Sequence, residues 1–374
     1  MDLDAPQALL GGLSPAAFMR RHWQKKPLVV RQALPGVAPL LARGPLFELA
    51  ARDDVESRLV VRDGANWQVR HGPLARRSLP PARRPGWTLL VQGLDLHLAA
   101  AHELLARFRF VPDARLDDMM LSWASDGGGV GPHLDSYDVF LIQVHGRRRW
   151  RVGRVADPAF VDGLPLKILR RFEPEHEWLL EPGDLLYLPP RWGHDGVAVG
   201  ECMTASVGFR SPSAAGLARE LLQQLADATD DDESPRLYRD PGQRATGTPA
   251  EVPAALQAFA RAALARALGE PGAVERALGA LMSEPKPRVW FEAGRVPADG
   301  EGVTLDAKTR MLYDDRHVFI NGETLRAGGR DARLMRRLAD RRALSARDRA
   351  LLGADARALL DEWAQDGWLH GSGQ

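Results

Sequence analysis

The residues with the clearest chemical potential are two histidines and an aspartate near the middle of the chain. His133 and Asp135 are separated by one residue, and His194 follows further along. In an extended strand, residues i and i+2 project from the same face, so the first pair could reach one metal ion. Two histidines and a carboxylate that leave coordination positions open are the ligand set of non-haem Fe(II) oxygenases. An H-x-D pair alone is common, so the interpretation depends on its surroundings.

The segment around the pair supplies these surroundings. It reads GGGVGPHLDSYDVFLIQVHGRRRWRVG from Gly127 to Gly153. The pattern predicts a strand that starts at the ligand pair, a turn at His145-Gly146, and a returning strand. Further along, PGDLLYLPP (Pro182 to Pro190) predicts a tight turn and an apolar strand that lead to the second histidine. The sequence therefore predicts a metal site between neighbouring strands.

The basic run that follows the predicted turn could hold an anion. The open positions of such a metal admit a 2-oxo acid and dioxygen, and a dicarboxylate co-substrate needs a cation some distance from the metal. A guanidinium group grips a carboxylate with two hydrogen bonds. In a strand, Arg148 faces away from Arg147 and Arg149, so one of the two sets should point inward. A solvated cationic strand edge is the alternative.

A third predicted strand, Leu116 to Trp123, leads into the glycines. Period two places Asp118, Met120 and Ser122 on one face. If this face looks into the pocket, Asp118 would pair with a substrate guanidinium while Met120 packs on its methylene stem. Tyr137, two residues after the ligand aspartate, would lie on the ligand face and hold the oxidised side chain. The alternative is a strand-edge carboxylate and a core methionine, and Asp126 is a second candidate acid.

These motifs resemble the JmjC branch of the Fe(II)/2-oxoglutarate oxygenases. More narrowly, the chain resembles the bacterial ribosomal oxygenases that hydroxylate an arginine in protein sixteen of the large ribosomal subunit. The matching stretches are GGGVGPHLDSYDVFLIQ, GRRRWRVG, LEPGDLLYLPP, the histidine that follows it, and SVGFRSP. The resemblance extends to the N-terminal FMRRHWQKKPLVVRQA and to the C-terminal region, and hence to nearly the whole chain.

The resemblance implies a role for each candidate residue. The implied iron ligands are His133, Asp135 and His194; the implied 2-oxoglutarate contacts are Arg148 and Thr204; and the implied substrate contacts are Asp118, Met120 and Tyr137. The implied cofactors are Fe(II), 2-oxoglutarate and dioxygen. Related ribosomal oxygenases oxidise histidine, so a histidine substrate stays open. A non-catalytic cupin-type metal binder and a ribosome-binding module with a vestigial barrel are the alternatives from other classes.

The predicted architecture is mainly β with helices. Many short strands between turn residues predict a double-stranded β-helix of the jelly-roll or cupin type, as in JmjC domains. We expect a catalytic domain with an N-terminal helical and strand extension at 1–210, a helical region at 211–284 and a winged-helix-like domain at 285–374. The related oxygenases dimerise through the helical region, so we expect a homodimer. An acidic run, Asp230 to Glu233, and a Pro- and Gly-rich linker interrupt that region.

Composition limits the remaining functions. The 374 residues carry 50 basic and 49 acidic side chains, a net charge of +1, which gives no global nucleic-acid signature. The basic helix after Arg333 is interleaved with acids, so direct nucleic-acid binding is not expected, whereas docking to a ribosomal protein is. The single cysteine, Cys202, excludes an internal disulfide, and no apolar run reaches the length of a membrane span. These features predict a cytoplasmic protein.

Overall fold

The computed structural model describes residues 2–227 and 237–372, and the chain divides after Ser211 into two compact units. The strands of the first unit are β1 (Leu28–Val30), β2 (Ser57–Asp63), β3 (Asn66–His71), β4 (Trp87–Val91), β5 (Leu116–Ala124), β6 (Val139–Arg154), β7 (His176–Leu180), β8 (Leu185–Leu188) and β9 (Trp192–Phe209). Its helices are α1 (Pro15–Arg21), α2 (Arg43–Leu49) and α3 (Ala99–Ala106). The acidic run and the start of the predicted linker lie outside the described residues.

The strands of the first unit form one antiparallel sheet. Their order is β1-β8-β6-β9-β5-β4-β2-β3, and β7 pairs with β6 beside this path. One side of the sheet buries a large apolar core that includes Trp87, Trp123 and Phe140. The alternate side chains of β5 divide accordingly: Met119 and Leu121 are fully buried in this core. The other side of the central strands is left to line a cavity.

Strand β6 corrects the predicted hairpin. It runs unbroken and pairs with β9 on both sides of His145-Gly146, where the pairing register shifts. This irregularity is a β-bulge, which bends a strand without reversing it. Gly146 has a φ of +60°, and a Cβ atom there would lie 2.1 Å from the Glu201 carbonyl oxygen, so only glycine fits. The bend lets β6 pair first with β8 and then with β7.

The second unit contains helices and two small sheets. Its helices are α4 (Ala214–Asp227), α5 (Ala254–Gly269), α6 (Ala273–Ser283), α7 (Gly329–Arg341), α8 (Ala346–Ala350) and α9 (Ala354–Gln365). Its strands are β10 (Gly302–Leu305), β11 (Met311–Tyr313), β12 (His317–Ile320), β13 (Glu323–Arg326), β14 (Ala343–Leu344) and β15 (Leu369–Ser372). The sheets have the orders β14-β10-β15 and β11-β12-β13.

Local sequence explains the second sheet of this unit. The predicted hairpin at Asn321-Gly322 joins β12 to β13, and both residues have the positive φ that a type I′ turn requires. Helix α6, which the sequence pattern did not predict, packs on β12 where Gly279 faces the Phe319 ring. The predicted boundary at residue 284, between the helical region and the winged-helix-like domain, stays a prediction. None of the helices in the described parts of the chain has the length and apolar character of a membrane span.

Candidate metal centre and co-substrate cavity

The first ligand pair lies in an irregular segment and not in a strand. Strand β6 begins only at Val139, and His133 forms a single β-bridge with His194, whose main-chain N–H···O distances are 2.9 and 3.0 Å. The predicted strand through the pair is wrong because Pro132 has no N–H to donate and Gly131 has a φ of +76°. The single bridge still brings the two histidines side by side.

The three predicted ligands converge. Their ligand atoms all lie within 4.8 Å of one another. The Asp135 Oδ2 atom lies 3.5 Å from His194 Nε2 and 3.9 Å from His133 Nε2. Two ligands that are each about 2.1 Å from one ion are at most about 4.2 Å apart, so both distances fit a shared metal.

Hydrogen bonds fix the histidines in a ligand-ready form. His133 Nδ1 lies 2.9 Å from the Gly131 carbonyl, and His194 Nδ1 lies 3.1 Å from the Trp192 carbonyl. A carbonyl only accepts, so each Nδ1 carries the proton and each Nε2 offers its lone pair to the centre. Burial and the neighbouring His194 lower the pKa of His133 to about 4, which keeps its imidazole neutral. The residues present therefore fit a divalent metal.

A fourth side chain anchors the segment between the ligands and β6. The Asp138 carboxylate is fully buried and accepts a hydrogen bond of 2.5 Å from the Tyr187 hydroxyl and one of 3.1 Å from the Gln24 amide. Burial and this carboxylate raise the pKa of Tyr187, so its hydroxyl remains a donor. The ligand aspartate lies three residues before this anchor, which helps to hold the irregular segment in place.

The three predicted ligands lie at one side of a cavity of about 450 Å³. All three predicted ligands line it, as do Arg148 of β6 and the predicted substrate contacts Asp118, Met120 and Tyr137. The division of β5 into a core face and a cavity face is therefore as the period-two pattern predicts. A register shift between Leu116 and Met119 brings Asp117 to the same wall, a feature that strict alternation misses.

Arg148 is buried with most of its hydrogen-bonding capacity unused. Its side chain is 5% exposed, and its Nη1 donates to the Ser122 hydroxyl at 3.2 Å. Its Nε and Nη2 have no partner among the described residues. Arg147 and Arg149 are exposed, as the alternation predicts for the set that points outward. A buried guanidinium without a counter-anion is costly, so this group fits the far carboxylate of a dicarboxylate ligand.

Thr204 is the one predicted cofactor contact that does not line the cavity. Its buried hydroxyl donates to Gln143 Oε1 at 2.9 Å, and its main-chain carbonyl accepts from Ser122 at 3.2 Å. Ser122 is the polar group that does contact Arg148. The period-two pattern placed this serine on the face of Asp118 and Met120 but indicated no role for it.

The predicted substrate contacts meet across strand β9. A Cβ atom at Gly208 would lie 3.9 Å from Asp118 Oδ1 and 4.0 Å from the Tyr137 ring, so both side chains flank this glycine. Asp118 is 6% exposed and accepts from the Gly93 N–H at 3.1 Å. Tyr137 is 39% exposed, and burial of its hydroxyl raises its pKa. The alternative acid, Asp126, is exposed and accepts from the main chain outside the cavity.

Comparisons with known proteins agree with this fold and site. Residues 103–217 match the JmjC domain model, and residues 262–370 match the ROXA-like winged helix model. Ribosomal protein uL16 3-hydroxylase of Escherichia coli K12 is 42% identical over 211 residues, which span 56% of this chain and 55% of that protein. This chain thus aligns with about half the length of that curated relative.

Solved structures extend the similarity to both units. The X-ray structure of E. coli ycfD is 32% identical, with a TM-score of 0.82, and the match covers 96% of this chain and 98% of that one. YcfD, a ribosomal oxygenase from E. coli, in complex with cobalt and 2-oxoglutarate, is also 32% identical, with a TM-score of 0.79 and coverage of 96% and 99%.

The fold and the site define a JmjC-type oxygenase with a C-terminal winged helix. More narrowly, the chain belongs to the family of bacterial ribosomal oxygenases. The predicted double-stranded β-helix is thereby confirmed. The predicted cofactors, Fe(II), 2-oxoglutarate and dioxygen, are confirmed as those of the family, a member of which binds cobalt together with 2-oxoglutarate.

Proposed function

We propose that this protein is an Fe(II)- and 2-oxoglutarate-dependent hydroxylase of an arginine side chain in ribosomal protein uL16, the large-subunit protein sixteen. The observation that carries the proposal is one cavity that contains the ligand cluster, the unsatisfied Arg148 guanidinium and the Asp118 carboxylate. The printed name of the 42% identical relative, a uL16 3-hydroxylase, supports the substrate. An arginine as the oxidised residue is our inference from the cavity wall.

The metal ligands in this proposal are His133, Asp135 and His194. Bound Fe(II), together with 2-oxoglutarate and dioxygen, supplies the oxidising chemistry that converts a C–H bond into an alcohol. Arg148 holds the far carboxylate of the co-substrate through its free Nε and Nη2 groups, and Ser122 keeps the guanidinium oriented. The protein's part in the reaction is therefore to orient the co-substrate and the substrate in the cavity.

Acidic groups on the cavity wall favour a cationic side chain as substrate. Asp117 and Asp118 both line the cavity, and the guanidinium group of an arginine keeps its charge at every physiological pH. Asp118 would accept hydrogen bonds from this group, while Met120 and Tyr137 pack on its methylene carbons. A histidine substrate, which is largely neutral at neutral pH, would gain less from these carboxylates.

We also propose that the protein is a homodimer that forms through the helices of its second unit and works in the cytoplasm, where its ribosomal substrate is found. Leu222 of α4 is 48% exposed, and Leu264 and Leu268 of α5 are 58% and 48% exposed. Such apolar side chains on neighbouring helices are typical of an interface. Light scattering coupled to gel filtration measures the mass directly, and a monomeric mass would contradict the dimer.

The substrate proposal is tested with purified protein and recombinant uL16. Incubation with Fe(II), 2-oxoglutarate and oxygen should make uL16 heavier by one oxygen atom, and fragmentation should place this oxygen on an arginine. The His133→Ala variant is the negative control. Oxygen found on a histidine would replace the arginine assignment with the second candidate, and unchanged uL16 without succinate formation would remove the enzymatic proposal.

A further inference from the structure

Seven arginines lie at the outer edge of the main sheet. Between Ser57 and Gly86 the chain contains one acidic residue, Asp63, and seven arginines. We call this set the arginine edge; it consists of Arg58, Arg62, Arg70, Arg76, Arg77, Arg83 and Arg84. The segment has a net charge of +6, whereas the whole chain carries +1, so the remaining residues together carry −5. The net charge of the whole chain is therefore close to zero although this one segment is strongly basic.

Most of this charge has no nearby carboxylate; the exception is Arg58, whose charge helps to lower the pKa of Asp135 across the cavity. Arg58 is half-buried and the other six arginines are exposed, and no member forms an ion pair with a carboxylate in the described parts of the chain. Elsewhere, by contrast, many arginines are paired, such as Arg52 with Asp54 and Arg337 with Asp348. An unpaired basic surface repels itself unless an anionic partner binds.

One side-chain and one main-chain hydrogen bond bring the three basic stretches together. Strand β3 is the last strand of the sheet, so its outer side has no neighbouring strand among the described residues. Arg70 donates to the Ser78 carbonyl at 2.9 Å, which holds the turn that carries Arg76 and Arg77 against β3. The Arg62 N–H donates to the Gly86 carbonyl at 2.8 Å, which holds the loop with Arg83 and Arg84 beside β2.

An aromatic side chain connects this edge to the cavity. The Arg62 guanidinium lies 5.4 Å from the ring centroid of Trp67, which is half-buried. The Trp67 ring also packs against Gly131, where a Cβ atom would lie 3.0 Å from it, two residues before a predicted metal ligand. Arg58 and Val69 of the same hairpin line the cavity wall. The arginine edge thus begins at the rim of the cavity.

We propose that the arginine edge binds the phosphate backbone of a single-stranded nucleic acid beside the cavity. Closely spaced phosphates match a surface of unneutralised guanidinium groups, and Trp67 with Arg62 provides a stacking surface for a base. The basic helix α7 also has an arginine beside an aromatic ring, Arg336 over Tyr313, but acids neutralise this surface: the Tyr313 hydroxyl donates to Asp340, and Arg337 pairs with Asp348. This proposal revises the expectation drawn from total charge, and it is independent of the hydroxylase activity.

The test measures binding of a fluorescein-labelled oligouridylate to the full-length, metal-free protein by anisotropy over a range of salt concentrations. The variant is Arg77→Gln/Arg83→Gln/Arg84→Gln. These exposed side chains form no hydrogen bond, ion pair or cation–π contact within the described parts of the chain, so folding of the variant should be unchanged. The matched control removes three exposed charges of α7: Arg330→Gln/Arg333→Gln/Arg341→Gln. We expect the variant to lose about tenfold or more in affinity and about 2 from the log–log salt slope, since each phosphate contact contributes about 0.7.

The lysine version of the triple variant separates charge from shape and should keep most of the affinity. The control variant should bind as the unmodified protein does. Absence of oligouridylate binding by the unmodified protein at low salt would overturn the proposal. An equal loss in the control, or competition by polyglutamate as effective as that by unlabelled oligouridylate, would also overturn it, because the surface would then attract any polyanion.

Discussion

Two buried arginines, one in each unit, show how a structural cation differs from one that awaits a ligand. Arg349 is 8% exposed and donates to the carbonyls of Ala298 and Pro297 at 2.8 and 3.0 Å and to the Asp361 carboxylate at 3.2 Å. Arg148 is 5% exposed and has one hydrogen bond, to a neutral hydroxyl. Arg349 holds a loop to a helix. Arg148 lies in the cavity beside the three predicted metal ligands, and most of its donors have no partner among the described residues.

The same distinction separates the histidines of the two units. His317 uses its Nδ1 on the Asp314 carboxylate at 3.1 Å, a closed pair in the second unit. His133 and His194 use Nδ1 on main-chain carbonyls and direct both Nε2 atoms toward Asp135. The proposed site is thus marked by side chains that face one another with polar atoms still available to a ligand.

The largest effect should come from the ligand cluster. His133→Ala removes one proposed metal ligand, and we expect hydroxylation to fall by more than the roughly 10- to 100-fold typical of outer-shell partners. His317→Ala, a histidine–carboxylate pair outside the cluster, should leave turnover unchanged. Succinate release from 2-oxoglutarate measures both. Full activity of His133→Ala would remove this histidine from the site.

The two arginines should respond oppositely in stability. Arg349→Met strips two carbonyls and a carboxylate of their donor, so the free energy of unfolding of the second unit should fall by about 2–4 kcal/mol. Urea denaturation monitored by the tryptophan fluorescence of this unit measures the change. A loss below about 0.5 kcal/mol, the range of ordinary surface substitutions, would show that Arg349 is not structural.

Arg148→Met should not destabilise the ligand-free protein. The substitution removes a desolvated charge and fills its place with an apolar side chain, so stability should stay equal or rise by about 1–3 kcal/mol. Denaturation without metal and co-substrate is the measurement. A clear loss of stability would mean that the guanidinium holds the fold and not a ligand.

A smaller, selective effect is expected on the substrate wall. Asp118→Asn keeps the shape but removes the charge, which should raise the KM for an arginine-containing uL16 peptide by about 10- to 100-fold, the range of a charge-assisted hydrogen bond. The KM for 2-oxoglutarate should not change. The Asp126→Asn variant is the matched control, because Asp126 lies outside the cavity. Equal KM values for the peptide in both variants would contradict the substrate role.

Much of this site is visible in the sequence, because its determinants are local. Alternation along a strand predicts that Arg148 and its neighbours face opposite ways, and the spacing of the cluster predicts the ligands. The details that the sequence does not predict depend on contacts between distant parts of the chain. A glycine after His145 looks the same whether the strand turns or bulges, and only the neighbouring Glu201 carbonyl decides between them. Alternation along the strand also does not predict that the Thr204 hydroxyl binds Gln143 while the Ser122 hydroxyl binds Arg148.

Total charge does not show how charge is distributed along the chain. A net charge of +1 gives no global nucleic-acid signature, yet one hairpin and its following loop together carry +6. Residue order along the chain contains this information, whereas a composition does not. Helix α6 was missed because Gly279 interrupts its helical pattern, whereas in the structure this glycine lies close against the Phe319 ring.

We propose that the Arg148 guanidinium lacks hydrogen-bond partners because the far carboxylate of 2-oxoglutarate binds beside it. The most direct test is calorimetric titration of the cobalt-loaded protein with 2-oxoglutarate and with 2-oxobutyrate, which lacks the far carboxylate. The unmodified protein should prefer 2-oxoglutarate by about 100-fold, the worth of a bidentate charged contact of about 3 kcal/mol. Arg148→Met should bind both acids with equal affinity. A variant that still discriminates between them would contradict the account.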